Sequence, residues 1–271
     1  MPLNPMADIR ETIFSNHLDR SVTAVLVAEA AGVLSGINRG LSIMESLGLS
    51  FSTTFSEGDE IHGGQEIARA VGSPVQIAIA EEQIIGALSK SSGIATAARR
   101  AKKRVNARCR VASGGWKKMP LEIKDLIREA VCHGGMDQRI LEDPFVYLDK
   151  NYVRILGGVT RAVQNVISLG REIVVQVRGE TDPVEEEAVA AARAGAGLVM
   201  VDTGKQEHLS RVIDALRSNG LRSRVQIAFA GNITLEDLDT IAQMDLDAVD
   251  IGYAVLDAPC LPMRFDVIEV D

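Results

Sequence analysis

The chain is predicted to be a mixed α/β protein with a strand-rich first part and a second part in which strands and helices alternate. Two observations predict this. Between about Ser21 and Ile79 the apolar runs are short and bounded by Gly, Asp and Pro, which punctuate turns. From about Ala107 to Tyr253 each short, almost wholly apolar run is followed by an amphipathic stretch. With 271 residues, 46% of them apolar, the chain can bury a large core in one or two domains.

In the first part, TAVLVAEAAGVLSG, SFSTTFSEGD and QEIARAVGSP read as strands with their turns. The pattern from Gly58 to Ile67 places glycines where a hairpin needs unusual backbone angles, with Ile61-His62-Gly63-Gly64 at its tip. A carrier domain would need a lysine there, so a structural sandwich is expected. A helix follows over Glu81–Arg104 and ends in the charge run Arg99-Arg100-Ala101-Lys102-Lys103-Arg104. That run is either a solvated helix end or a local anion contact. In the second part the expected strands are Arg108–Ala112, Phe145–Leu148, Glu172–Val177, Gly197–Val201, Val225–Phe229 and Ala248–Ile251. Such continuous apolar runs suit parallel strands buried on both faces. Asp182-Pro183-Val184-Glu185 reads as a helix start with Asp182 as the N-cap, and Thr234-Leu235-Glu236-Asp237 as another. This rhythm suits a βα barrel, and equally a doubly wound open sheet. The lack of Gly-x-Gly-x-x-Gly after the first strand argues against a dinucleotide-binding version. Residues 263–271 alternate as a strand expected to return to the first part.

Charge and composition narrow the function classes. Lys and Arg total 29 against 37 Asp and Glu, a formal charge of −8, and 4% of residues are aromatic. Neither a broad basic face nor a base-stacking platform is expected, so nucleic acid is not an expected partner. No segment reads as a membrane span or signal peptide, and no membrane partner is expected. Cys109, Cys132 and Cys260 have no metal-ligand spacing, which suggests a reducing cytoplasm and no structural zinc.

Residues just after barrel strands line the active-site face. Here those are Ser113 to Lys118, Asp149-Lys150-Asn151, Arg178, Asp202, Gly231-Asn232 and Gly252-Tyr253. Gly231 and Gly252 are phosphate candidates or ordinary tight turns, and the helix expected to begin at Asn232-Ile233-Thr234 would add its dipole. Asp202 either orders a ribose hydroxyl or a Mg²⁺, or caps the helix expected near Gly204. Trp116 either stacks on a planar ring or plugs the core with its N–H satisfied. Lys117 and Arg139 are candidate anion contacts.

These segments resemble the quinolinate phosphoribosyltransferase family. The resemblance rests on Gly32-Val33-Leu34-Ser35-Gly36, Leu47-Gly48-Leu49, Glu57-Gly58-Asp59 with Gly64-Gln65, and Ser92-Gly93-Ile94-Ala95-Thr96-Ala97. Downstream, AARAGAGLVMVDT, GNITLEDL and DLDAVDIGYAV are similar to family segments in the same order. It implies an N-terminal open α/β sandwich over 1–104, a C-terminal βα barrel of about six to seven strands over 105–262, and the closing strand over 263–271. It also implies a homodimer or an oligomer of dimers, with the site formed between one subunit's barrel and the other's N-terminal domain. The implied chemistry is phosphoribosyl transfer from 5-phosphoribosyl 1-diphosphate (PRPP) to a small anionic substrate, quinolinate, with Mg²⁺, loss of CO₂ and no organic cofactor.

The family's basic ring is where this chain departs. The resemblance places Lys117, Arg139 and Asp202 as catalytic residues, with Asp202 as a Mg²⁺ ligand. It places Glu82, Trp116, Gln138, Asp149, Lys150, Gln176 and Arg178 at the substrate, and Gly231, Asn232, Gly252 and Tyr253 at phosphate. Family arginines fall on Glu82 and Trp116, a lysine on Asp149, an aspartate on Lys150 and a glutamate on Arg178. Losing two or three charged contacts to a dianion costs on the order of 5 kcal/mol, several thousandfold in affinity. The expectation is a member of the family with an altered acceptor. The alternatives are a catalytically silent ligand-binding homologue, and a true quinolinate enzyme whose loops between Ser113 and Asn151 align differently.

Overall fold

The computed structural model describes residues 8–142 and 144–271. The strands in chain order are β1 (Val22–Ala28), β2 (Gly32–Val33), β3 (Ser50–Ser52), β4 (Glu60–Ile61), β5 (Glu66–Gly72) and β6 (Arg110–Ala112). They continue as β7 (Phe145–Leu148), β8 (Glu172–Val177), β9 (Leu198–Asp202), β10 (Gln226–Ala230), β11 (Ala248–Asp250) and β12 (Met263–Val270). The chain divides into two compact units. One holds the residues up to Ala97 with Asp125–Gly134 and Ala258–Asp271; the other holds Ala98–Lys124 and Gly135–Asp257.

The first unit is built on an antiparallel sheet ordered β12-β1-β5-β3, with β2 and β4 paired separately. The alternating residues of 263–270 form β12, which lies beside β1 over its whole length. Ala24, Leu26, Ile67 and Ala68 of the sheet pack with Ile77, Ala80, Ile84 and Leu88 of the helix Pro74–Val105. Those helical positions recur at three- and four-residue intervals, one face of an α-helix. The helix starts earlier than expected because Ser73 and Gln76 form a reciprocal cap. The Ser73 N–H donates to Gln76 Oε1 at 2.8 Å and the Gln76 N–H to Ser73 Oγ at 3.4 Å, just ahead of a proline at the first position. The expected hairpin over Gly58–Ile67 is not a ladder. Gly58 and Gly64 do take positive φ, but β4 pairs with β2 while β5 pairs with β1 and β3. The helix Lys124–His133, which falls within the span expected for the barrel, has all but its first residue in this unit.

The second unit holds the six expected strands in one parallel sheet ordered β6-β11-β10-β9-β8-β7. Each strand from β7 to β10 lies beside its successor, and β11 returns to β6. That sequential winding is the order of a βα barrel, not of a doubly wound sheet with a switch point. The ladder is open between β6 and β7, where Asp137 makes an isolated parallel bridge to Ala112. Alternate residues point inward. Ala112, Val174, Leu198, Met200, Ala228, Ala230 and Ala248 form the interior, with Phe145 and Tyr147 packed against it. Among the described residues no helix is long and apolar enough to cross a membrane.

Candidate functional site

The inward rows end in polar groups at the C-terminal edge of the sheet. Val174 is followed at period two by Gln176 and Arg178, Met200 by Asp202, Ala248 by Asp250 and Phe145 by Tyr147. These groups, with Gly114, Lys117, Lys118, Thr203, Gly231, Asn232, Gly252 and Tyr253, line a cavity of about 340 Å³ within the second unit. Asp202, Ala230 and Asp250 occupy one register row across β9, β10 and β11, so two carboxylates stand level on either side of a small residue.

The two carboxylates have different partners. Asp202 Oδ2 accepts from Arg178 Nη1 at 2.8 Å and from Gln176 Nε2, while Gln176 Oε1 accepts from the Lys150 N–H at 2.7 Å. Asp250 Oδ1 accepts from the Gly114 N–H at 2.9 Å. Burial pushes the Asp250 carboxyl above its ordinary range; the Gly114 hydrogen bond and the positive charges of Lys117 and Lys118 oppose the shift, and Asp202 reinforces it. Burial also pushes the Tyr147 phenol far above its ordinary value, helped by the charges of Asp250, Asp202 and Asp149. The Lys117 ammonium lies 5.4 Å from the Tyr147 ring centre and the Lys118 ammonium 4.5 Å from that of Tyr253, both within cation–π range.

Opposite them the wall is shaped by backbone. Gly204 N–H donates to the Ala230 carbonyl at 2.9 Å, and a Cβ on Gly231 would sit 2.5 Å from Gly204 N. Gly231 has φ +112°, a conformation open to glycine but strained for other residues. The expected helix at Asn232 is absent. Thr234 and Asp237 cap a turn reciprocally, and the helix that follows is the single turn Leu238–Ile241. Asp202 does not cap the next helix, which starts at Gln206 behind Lys205.

Of the residues singled out from sequence, Lys117, Asp202, Gln176, Arg178, Gly231, Asn232, Gly252 and Tyr253 meet in the cavity. Trp116, Gln138, Arg139, Asp149 and Lys150 are not among its lining residues. Trp116 lies in the short turn Gly115–Lys118 and its indole N–H donates to the Gln138 carbonyl at 2.9 Å. Arg139 is exposed. Asp149 caps the helix Lys150–Leu156, accepting from the Asn151 N–H at 2.8 Å, and Lys150 contributes its backbone to Gln176. Glu82 belongs to the first unit, where it pairs with Arg10. Reading only the residues after the strands misses Tyr147 and Asp250, which lie within strands; Thr203, next to Asp202, carries no signal of its own. The period-two inward row, continued to the last strand residue, finds Tyr147 and Asp250.

Among the described residues no cluster of three or more His, Cys, Asp or Glu side chains could hold a metal by itself. The level pair Asp202 and Asp250 does fit a Mg²⁺ that arrives with a substrate's phosphates, because that ion takes few carboxylates and completes its shell with substrate oxygens and water.

Two family models match this chain. The quinolinate phosphoribosyl transferase N-terminal domain matches residues 8–92, and the C-terminal domain of the same family matches residues 94–266. A probable nicotinate-nucleotide pyrophosphorylase [carboxylating] of Archaeoglobus fulgidus is 28% identical over 254 residues, covering 92% of this chain and 96% of the relative. The human nicotinate-nucleotide pyrophosphorylase [carboxylating] is 27% identical, covering 88% and 80%. The fold is that of the nicotinate-nucleotide pyrophosphorylase from Pyrococcus furiosus, with a TM-score of 0.85 at 23% identity over 100% of this chain and 79% of that one. The Francisella tularensis structure of the same name gives 0.83 at 19% identity, over 97% and 91%.

Proposed function

This chain belongs to the quinolinate phosphoribosyltransferase family, and from that premise we propose that it transfers a phosphoribosyl group from PRPP to a planar nitrogen acceptor less anionic than quinolinate. The observation that carries the reading is the Arg178–Asp202 pair. The guanidinium in the cavity is partly offset by a carboxylate, which leaves Lys117 and Lys118 as the main cations that meet the ligand.

The acceptor nitrogen's lone pair forms a bond to C1 of the ribose while the bond from C1 to the diphosphate oxygen breaks, and its electron pair leaves with diphosphate. Lys117 and Lys118 stabilise the charge that develops on the leaving group. The wall at Gly231, Asn232, Gly252 and Tyr253 receives the 5-phosphate. Asp202 and Asp250 would hold a Mg²⁺, which when bound neutralises phosphate charge. A homodimer is part of the proposal. The support of Trp116 for a stacking acceptor is withdrawn, since its N–H is bound to Gln138 outside the cavity lining.

The test is diphosphate release from PRPP and Mg²⁺ with quinolinate and with pyridines carrying one carboxylate or none. Quinolinate is expected to turn over with kcat/KM on the order of several thousandfold below the best acceptor, the loss of two or three charged contacts. Quinolinate as the best acceptor overturns the altered-acceptor reading. One observation favours a silent ligand-binding homologue instead: Asp202 Oδ2 is engaged by both Gln176 and Arg178. PRPP binding with no diphosphate release for any acceptor would establish that reading.

A further inference from the structure

Glu187 sits in the first turn of the helix Val184–Ala194 and is 1% exposed. Its partners are consecutive backbone amides of the loop that leaves β8. Oε2 accepts from the N–H groups of Arg178 and Gly179 at 3.0 and 2.8 Å. Oε1 accepts from those of Glu180 and Thr181 at 2.7 and 2.9 Å, with the Thr181 hydroxyl at 3.3 Å. Gly179, at φ +75°, lets the chain wrap around the carboxylate. The helix N-terminus favours a negative charge at that position, and the helix ties it to a rigid element.

The loop so formed begins with Arg178, whose guanidinium enters the cavity and pairs with Asp202. Glu180 of the same loop accepts from Arg154 in a two-pronged pair, Nε to Oε2 and Nη2 to Oε1, both at 2.9 Å. The backbone of Arg178 is therefore held by Glu187, and its side chain is held by Asp202 at the end of the neighbouring strand β9. We propose that Glu187 is a positioning residue: by folding residues 178–181 around its carboxylate it sets where the Arg178 guanidinium stands, and so how the mouth meets an anion. The expected Asp182 cap is not formed; Pro183 holds the N-cap position without a side-chain bond, and the carboxylate that organises this corner is Glu187.

Two arms test it, and only the second rests on the phosphoribosyl reading. In the first, the Arg178 guanidinium resonance of ¹⁵N-arginine-labelled protein is identified by its loss in R178K. It is expected to be shifted and protected by Asp202 in the native protein, and to move to the position of a free arginine in E187Q. An unchanged Arg178 resonance in an E187Q protein whose Tm has fallen overturns the proposal, because Glu187 is then merely structural. G179A disturbs the same loop with Glu187 intact and supplies the same readout where E187Q fails to fold. In the second arm, calorimetry measures PRPP affinity with Mg²⁺. E187Q and R178Q are each expected to weaken it about tenfold, with the double variant no weaker than R178Q alone. Additive losses overturn the proposal. Failure of the native protein to bind PRPP defeats the phosphoribosyl reading, while the resonance arm still decides the role of Glu187.

Discussion

The two sides of the barrel mouth are held in shape by different means. On the β8–β9 side, side-chain charge does it: Glu187 gathers four amides, Arg178 pairs with Asp202, and Gln176 bridges Asp202 to the Lys150 backbone. On the β10–β11 side, backbone proximity does it: Gly231 and Gly204 approach so closely that neither tolerates a Cβ, and the half-buried Asp250 accepts an amide from Gly114. A side built from side chains can change its charge by substitution without moving the chain. A side built from glycines cannot take new groups without moving it. Gln176 and Arg178, the cavity positions expected from the resemblance to depart from the family, are on the first side.

That contrast can be broken most severely at Gly231. Replacement by alanine combines a positive φ with a contact of 2.5 Å to Gly204 N, and is expected to cost about 4 kcal/mol in urea unfolding. A loss below about 1 kcal/mol would mean that the wall gives way easily and the contrast fails.

The next effect lies at Asp250 and is read against pH. Its folded pKa is raised, so between the ordinary carboxylate value and the raised one the folded state binds more protons than the unfolded state. Stability therefore falls as pH rises through that window and levels off above it. The side-chain amide introduced by D250N keeps an acceptor for the Gly114 N–H and removes the charge. D250N is expected to be more stable than the native protein at pH 7 and equal to it well below pH 4. Parallel pH profiles from thermal unfolding would show that burial does not raise the Asp250 carboxyl.

A smaller loss belongs to D202N, which leaves Arg178 with a neutral partner. Because Arg178 is 36% exposed, solvent screening limits the cost to about 1 kcal/mol in chemical unfolding. A cost of several kcal/mol would place the charged side among the rigid parts of the fold. The smallest effect has the opposite sign. Gly86 lies exposed within the helix Pro74–Val105, and a Cβ added there would meet nothing within 4 Å. G86A is expected to stabilise by about 0.8 kcal/mol, the helix preference of alanine over glycine, measured by urea unfolding. It separates a glycine the backbone requires from one it does not.

Much of the fold was legible because it rests on local pattern. All six parallel strands fall within two residues of their expected bounds, since apolar runs between turn residues leave little choice. Misjudged elements were those decided by partners distant in the chain. The glycines of Gly58–Ile67 suggested a hairpin, but β4 found β2 and β5 found β1. Thr234 to Asp237 carries a helix-start pattern, yet the two residues close on each other as a turn and the helix that follows is one turn long.

The site divides in the same way. Asp202, Arg178 and Lys117 could be named from their places after strands, because a parallel βα sheet delivers those places to one face; Gln176, inside its strand, is named only through the family resemblance. Trp116, Gln138, Arg139, Asp149 and Lys150 could not be judged so, because they lie on turns and helix starts whose direction a spacing does not encode. Asp149 illustrates it: the same carboxylate at a strand end became the cap of its own helix.

The amino-acid order by itself determined the strand–helix alternation, the family to which the chain belongs, and the polar residues Arg178 and Asp202 that follow the expected strands. These are properties of neighbours along the chain, where period and turn chemistry act. Tertiary structure decided which charges meet. Glu187 reaches back over nine residues to the Arg178 amide, Asp202 takes the guanidinium of Arg178, and Asp250 loses its water and with it the ordinary acidity of a carboxylate. Those outcomes depend on distance and solvent exclusion in the folded barrel, and neither is written in residue order.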